Sequence, residues 1–403
     1  MAWLSGGRER QGGVSVRGIE SIAEIPAAAW DICAGDDNPF LSHAFLKALE
    51  DSRCVGEKAG WTPSHLVAED GLGHLLGCAP VYLKSHSYGE YVFDWSWAEA
   101  WSNAGRRYYP KLQCAVPFTP VPGRRLLIHP DIPEPMLAPA MANVMTQLAE
   151  RAELSSVHAT FATEEQAKAL AEQGWLLRMG EQFHWHNRGY ADFDAFLATL
   201  ASRKRKAIRK ERESVAASGL AIQTLVGADI KERHWDAFFR FYMNTASRKW
   251  GHPYLNREFF SRLGESMADR CVLVYAERDG RPFAGALNLL GRDALFGRNW
   301  GTLGDVPFLH FELCYYRAID FAIERGLGRV EAGAQGEHKI SRGYMPVPTW
   351  SAHWIREAPF RSAVARFLEA ERDMIARSID ALSETGPYKK IEQAVPEEHR
   401  EVE

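Results

Sequence analysis

The 403-residue chain is 46% hydrophobic and 25% charged, with a formal net charge of −4. This length exceeds what one core usually serves, so two domains are expected, and the composition excludes extended disorder away from the ends. The small negative charge excludes a global attraction to nucleic acid or anionic membrane, which leaves only local patches for such partners.

Six cysteines (Cys33, Cys54, Cys78, Cys114, Cys271, Cys314) are scattered without a C-x-x-C pair. They suggest neither a zinc ribbon nor a dithiol centre, and a reduced, cytoplasmic setting is expected. The opening MAWLSGGRERQGG has no apolar signal-peptide core. No run approaches the roughly 18 apolar residues that span a bilayer, so no membrane span is expected.

In chain order, residues 1–13 read as a disordered tail and 14–18 as a strand. Residues 25–33 form a short helix entered through Pro26, a residue suited to a first turn. A second helix covers 42–52, with Ser42 as N-cap and Phe45, Leu46 and Leu49 on one face. The apolar runs 64–69 and 75–83, split by DGLGH, read as a hairpin. Residues 88–101 are aromatic and irregular. Strands follow at 111–117 and 125–128, a helix at 135–152 and a strand at 156–161. Thr163 caps a helix over 163–174, and 182–187 is a strand. The first half is therefore mixed α/β.

Residues 191–219 form a basic connecting helix. Phe193, Phe196, Leu197 and Leu200 recur at helical spacing, and the stretch 203–212 adds seven cationic side chains. Such a row can neutralise phosphates, but Glu211 and Glu213 interrupt it. A solvated face, or docking onto an acidic face of the same chain, is the simpler reading. The second half repeats the theme. It reads as a strand at 220–225, helices at 230–246 and 257–267, and a meander at 271–278, 282–290 and 294–299. A helix at 308–325, a strand at 329–332, a strand at 351–355 and a helix at 359–384 follow. Residues 386–403 read as a tail. His184 and His186 alternate about Trp185. An H-x-H pair alone is a weak metal signal, so no metal site is expected, and neither a G-x-S-x-G elbow nor a P-loop is present.

Several segments carry a family resemblance: NPFLSHAFL (38–46), GEYVFDW (89–95), YYPKL (108–112), PFTPV (117–121), LHFExCYY (309–316) and GAQGEHKIxRG (333–343). With them the chain resembles the FemABX group, and within it the FemAB-like family labelled peptidoglycan biosynthesis/recognition. The resemblance covers nearly everything after Gly13. It implies α/β architecture with mixed sheets in two tandem GNAT-like domains (the acyl-CoA N-acyltransferase fold), at 14–190 and 220–385. It also implies an N-acyltransferase that moves an acyl group from acyl-CoA to an amine of a peptide-like or amino-sugar acceptor. The alternatives are an aminoacyl-tRNA-dependent transferase acting on a cell-wall precursor, and a non-catalytic module that binds peptidoglycan fragments. No tightly bound cofactor is expected, with acetyl-CoA or another acyl-CoA as co-substrate. Charged tRNA is the nucleic-acid partner to weigh, and the oligomeric state is left open.

Transfer of this kind needs a neutral amine held against a carbonyl and a donor for the developing oxyanion. Arg298, Gly301 and Gly304 echo the loop that grips coenzyme A before the helix at 308. Leu303 stands there where the pattern wants glycine, which hinders close backbone approach. The stretch 335–342 follows a strand, where α/β sheets bind ligands. In it Glu337 suits a base and His338 a relay near neutral pH. Gln335, Lys339 and Arg342 suit substrate binding, the two cations for a phosphate or carboxylate. His310 at the helix start is a further catalytic candidate and Trp300 a substrate contact. Asp94, Trp95, Tyr109 and Lys111 are the polar and aromatic residues expected to line a cleft between the halves.

Overall fold

Local signals set the element ends. The Ser42, Thr163 and Asn256 side chains accept from the N–H groups of Phe45, Gln166 and Phe259, and each opens a helix. The computed structural model describes residues 9–11, 13–249, 253–333 and 336–389. Among them, the antiparallel strands Glu9–Gln11, Val14–Ile19, His65–Glu69, Leu75–Ala79 and Leu127–Ile128 form a five-stranded sheet, in that order.

The other sheet has eleven strands and runs through both halves. From one edge it contains Leu220–Val226, Cys271–Arg278, Arg281–Leu290, Ala294–Thr302 and Arg329–Glu331. It continues through Leu176–His186, Met345–Ile355, Ser156–Ala162, Lys111–Cys114, Val81–Lys84 and Trp61–Pro63. Its centre is an exchange of strands. Met345–Ile355, late in the chain, pairs antiparallel with Ser156–Ala162 of the first half. Leu176–His186, from the first half, pairs antiparallel with Arg329–Glu331 of the second. The two exchanged strands also pair with each other over nine registered positions, Leu176↔His353 to His184↔Met345. Each half thus completes the other's sheet.

Apolar packing follows the same plan. Phe40 meets Phe296 at 5.5 Å and Phe45 meets Phe259 at 5.8 Å, both edge-to-face, so one core joins the halves. No helix among the described residues is long and apolar enough to cross a membrane.

Several elements differ from the sequence reading: residues 9–11 of the expected tail form the strand Glu9–Gln11, and the strands expected at 182–187 and 351–355 run over Leu176–His186 and Met345–Ile355. The stretch after Tyr88 contains a helix, Trp95–Asn103. The connecting helix is two, Phe193–Thr199 and Ser202–Ala216, because Leu200 turns extended (ψ 153°) and bridges to Tyr388. The helix after residue 308 is interrupted by a π-turn over Glu312–Tyr316. The segment read as a coenzyme loop from Arg298 is strand as far as Thr302. Gly301 lies in that strand because a Cβ there would overlap the Phe241 carbonyl on the helix Glu232–Lys249.

A buried polar network lies where the exchanged strands join. His158 and His353 stand opposite in register, with Nδ1 to Nδ1 at 2.7 Å. His158 Nε2 meets Ser156 Oγ at 2.8 Å. Burial, with Lys111 nearby, holds the His158 imidazole down to about 3, while an unfolded histidine titrates near 6.5. Between those values the unfolded chain binds a proton that the folded chain refuses, so folding stability falls as pH drops from about 6.5 toward 3. The His158→Gln variant is expected to lose stability less steeply between pH 6 and 4, by roughly 1.4 kcal/mol per pH unit for the one imidazole removed. Urea unfolding at each pH checks this, and parallel slopes for the two proteins would refute it.

Candidate active site

The strands Ala294–Thr302 and Arg329–Glu331 run parallel only from Ala294↔Arg329 to Phe296↔Glu331. Beyond that point their ladder ends and the strands part. On the other side of Ala294–Thr302 the register pairs Leu287 with Asn299 and Asn288 with Gly297, which leaves Arg298 as an extra residue. Such a bulge re-aims side chains. Here Arg298 turns to the core face, where its guanidinium lies 5.3 Å from the Phe40 ring and donates to the Phe118 carbonyl at 2.5 Å.

A cleft of about 100 Å³ opens in the gap, lined among others by Asn288, Trp300, His310, Cys314, Tyr315 and Ala332. A chamber of about 220 Å³ adjoins it and shares Arg298, Asn299 and Trp300. The chamber's other walls are aromatic: Tyr91, Phe118, Tyr242 and Tyr254. Phe118 and Tyr254 stack at 4.8 Å with 9° between their planes. Tyr91 and Phe118 hold left-handed backbone, φ 60° and 58°, which costs bulky residues energy and clusters at ligand sites.

The π-turn explains how the helix faces the cleft. Its wider turn brings both Cys314 and Tyr315 to the side that His310 already faces. The His310 ring packs at 4.9 Å from Trp300 and 6.3 Å from His338. Tyr315 Oη and His338 Nε2 lie 3.0 Å apart. Burial pushes the Tyr315 phenol well up, so the hydroxyl keeps its proton at neutral pH. Glu312 is buried inside the turn and anchored by Arg212 at 3.1 Å and Arg317 at 2.9 Å.

The remaining candidates divide. Glu337 and His338 are exposed on the turn Glu337–Arg342. Gln335 lies outside the described residues. Lys339 is buried, donates to the Gly333 carbonyl at 2.7 Å, and is lowered to about 8 by burial. Arg342 is also buried. It donates to both Glu211 oxygens at 2.9 Å, to Tyr316 Oη at 3.0 Å and to the His338 carbonyl at 2.8 Å. Both cations therefore hold the turn's own structure. Gly304 lies beyond the strand end, against the Phe283 ring.

Asp94 and Lys111 are inside the first half. Lys111 Nζ meets Asp94 at 2.5 Å, Glu90 at 2.8 Å and Ser87 at 2.9 Å. The Lys111 ammonium holds the Asp94 carboxyl well below the usual range against its burial, and the two carboxylates raise Lys111. Burial pushes Glu90 up to about 7 and Lys84 down to about 7. Tyr109 Oη reaches Ser87 at 2.8 Å, and Trp95 is 40% exposed beside Tyr88. Of this group the structure joins Asp94, Tyr109 and Lys111 in one network and leaves Trp95 outside it.

Sequence reasoning did not single out Tyr91, Phe118, Tyr242, Tyr254, Cys314 or Tyr315. Tyr91, Phe118, Cys314 and Tyr315 stand inside the motif segments, and that was their one available signal. Nothing in the local pattern marks Tyr242 and Tyr254, which meet the chamber through tertiary packing.

A family model described as FemAB-like, peptidoglycan biosynthesis/recognition, matches residues 21–390. No curated protein sequence matches the chain. Among solved structures, FemX is 10% identical with a TM-score of 0.53, covering 85% of this chain and 98% of its own. The C-terminal domain of a putative lysylphosphatidylglycerol synthetase from Agrobacterium fabrum is 10% identical with a TM-score of 0.51, covering 87% and 97%. A tandem GNAT protein from the clavulanic acid biosynthesis pathway is 11% identical with a TM-score of 0.44, covering 85% and 98%. At these identities the likeness is one of fold. The mixed α/β fold is of the tandem GNAT kind, and the chain belongs to the FemAB-like family.

Proposed function

We propose that the chain is an N-acyltransferase that moves an acyl group from acyl-CoA to an amine of a peptide-like or amino-sugar acceptor. The observation that carries this reading is the parting of Ala294–Thr302 from Arg329–Glu331, with a cleft in the gap and an aromatic chamber beside it. Where a ladder ends, backbone N–H and C=O groups are left to seek partners, and a pantetheine arm with its thioester supplies them. The chamber's rings and the Arg298 guanidinium suit an acceptor with flat apolar faces and polar substituents.

In the transfer, the acceptor amine attacks the thioester carbonyl across Trp300. A C–N bond forms, the C–S bond breaks, and the oxyanion between them meets strand N–H groups. His310 takes the amine's proton. Tyr315, kept protonated by burial, gives its proton to the departing thiolate and recovers one through His338. Glu337 stands on the exposed rim of the same turn, where it can exchange protons with water.

Cys314 tests the donor directly. It lines the cleft and is half-buried, whereas the other five cysteines are buried. Acetyl-CoA at about 100 times its Kd is expected to slow iodoacetamide labelling of Cys314 about 100-fold and to raise the melting temperature. Longer acyl-CoAs serve as the second arm. Unchanged labelling with every CoA ester would overturn the donor assignment. Tyr315→Phe is expected to slow single-turnover transfer by about 10²-fold while leaving that protection intact.

A second reading, with aminoacyl-tRNA as donor, is favoured by one observation. Arg203, Lys206 and Lys210 are exposed on Ser202–Ala216, and a groove lies between that helix and Ser341–Arg342. Charge reversal of these three residues would then weaken tRNA binding and reduce its salt dependence by about three counter-ions. Filter binding across a salt series separates the readings, because acyl-CoA protection of Cys314 would be unaffected.

A further inference from the structure

Arg298 lines the cleft, the aromatic chamber and a small apolar recess of about 20 Å³ beside them, bounded among others by Phe40, Leu49 and Leu263. The three spaces meet at Arg298 and Asn299. Among their described lining residues Arg298 is the one Lys, Arg, Asp or Glu.

This cation is held in place but not neutralised. Nη2 donates to the Phe118 carbonyl at 2.5 Å, and the guanidinium lies 5.3 Å from the Phe40 ring. No carboxylate among the described residues forms an ion pair with it. Glu331 acts on it through space, but its own carboxylate is engaged by Arg329 at 2.9 Å. Nε and Nη1 have no protein partner among the described residues, and neither is sealed from solvent. Most of the guanidinium's N–H donors are therefore open to a ligand. A cation among aromatic rings without a counter-ion is costly, so a ligand that brings one is favoured.

The surroundings say which anion. A phosphate monoester or diphosphate brings excess negative charge, which one guanidinium would leave unmatched among Tyr91, Tyr242 and Tyr254. A carboxylate brings a single charge, and its two oxygens fit two adjacent N–H groups of the guanidinium fork. Tyr242 adds a neutral donor. Its Oη accepts from the Tyr254 and Leu255 N–H groups at 3.1 and 3.3 Å, which leaves its own proton to give. Burial pushes that phenol up to about 12, so the proton stays in place at neutral pH.

We propose that the chamber binds a carboxylate paired with Arg298, so that the amine acceptor is an amino acid or a peptide with a free carboxylate rather than an uncharged amino sugar. The carboxylate site stands on its own; the role of its occupant as acceptor rests on the acyl-transfer reading.

Isothermal titration of the full chain with 3-phenylpropionate at pH 7.5 tests the site. 3-Phenylpropanamide is the neutral isostere and 2-phenylethylphosphonate the phosphorus-based anion. The carboxylate is expected to bind more tightly than either by about tenfold or more. Arg298→Gln should lower 3-phenylpropionate affinity to that of the amide. Arg298→Lys keeps the charge and loses the fork, so it should weaken 3-phenylpropionate about tenfold and leave the amide unchanged. It serves as the second variant where Arg298→Gln does not fold. Equal wild-type affinity for acid and amide, or acid affinity unchanged in the variants, would overturn the site. Tighter binding of the phosphonate would overturn its assignment to a carboxylate. Cys314 labelling separates the two readings. Protection by acetyl-CoA without a preference for the acid removes this inference alone. A preference for the acid without protection by any CoA ester keeps the site and removes the acceptor role together with the CoA donor.

Discussion

The backbone ladder between Leu176–His186 and Met345–Ile355 is the constraint on which the rest depends. Each strand belongs by sequence to one half and by pairing to both. Pulling the halves apart would break the ladders to Ser156–Ala162 and Arg329–Glu331 as well. Buried backbone groups that lose their partners are expensive, so the halves are fixed relative to each other far more firmly than a surface contact would fix them. The shared aromatic core, from Phe40 to Phe296, works in the same direction. A chamber walled by Tyr91 and Phe118 from one half and by Tyr242 and Tyr254 from the other keeps its shape for this reason.

That rigidity lets two local irregularities act in concert. The bulge at Arg298 turns a cation toward the other half. The π-turn at Glu312–Tyr316 brings Cys314 and Tyr315 round to the cleft. Both devices weaken regular hydrogen bonding locally, and both sit on elements held elsewhere by long ladders or ion pairs. Glu312 illustrates the compensation: its buried carboxylate is matched by two guanidiniums, one of them from the connecting helix.

Much of the architecture was legible because local rules decide it. Caps at Ser42 and Thr163 and the meander from Cys271 follow from capping chemistry and alternation. The exchange was not legible. Its pairings join residues more than 140 positions apart, such as His158 and His353, and no periodicity encodes a partner at that distance. The π-turn was hidden because apolar residues at 309, 313, 315 and 316 also satisfy ordinary helical spacing. The site was legible in outline. His310, Trp300 and His338 do come together, and Arg298 does stand beside them. Lys339 and Arg342 read as ligand cations because sequence displays their charge, whereas Glu211 and the Gly333 carbonyl that engage them come from folding.

The Arg342 contacts link the basic helix to the candidate site in a way charge counting could not reveal. Glu211 interrupts the cationic row, and it grips Arg342 through both oxygens while accepting from Tyr316. Arg342 in turn lies 3.4 Å from the Phe311 ring and holds the His338 carbonyl. One carboxylate therefore sets the position of the turn that carries His338, and so the distance from His338 to Tyr315. The acidic residue that breaks the phosphate-binding pattern is the one that orders the site. The exposed cations around it, Arg203, Lys206 and Lys210, remain turned to solvent. Folding thus divides a single helix between an inward face that fixes the turn carrying His338 and an outward face of exposed cations.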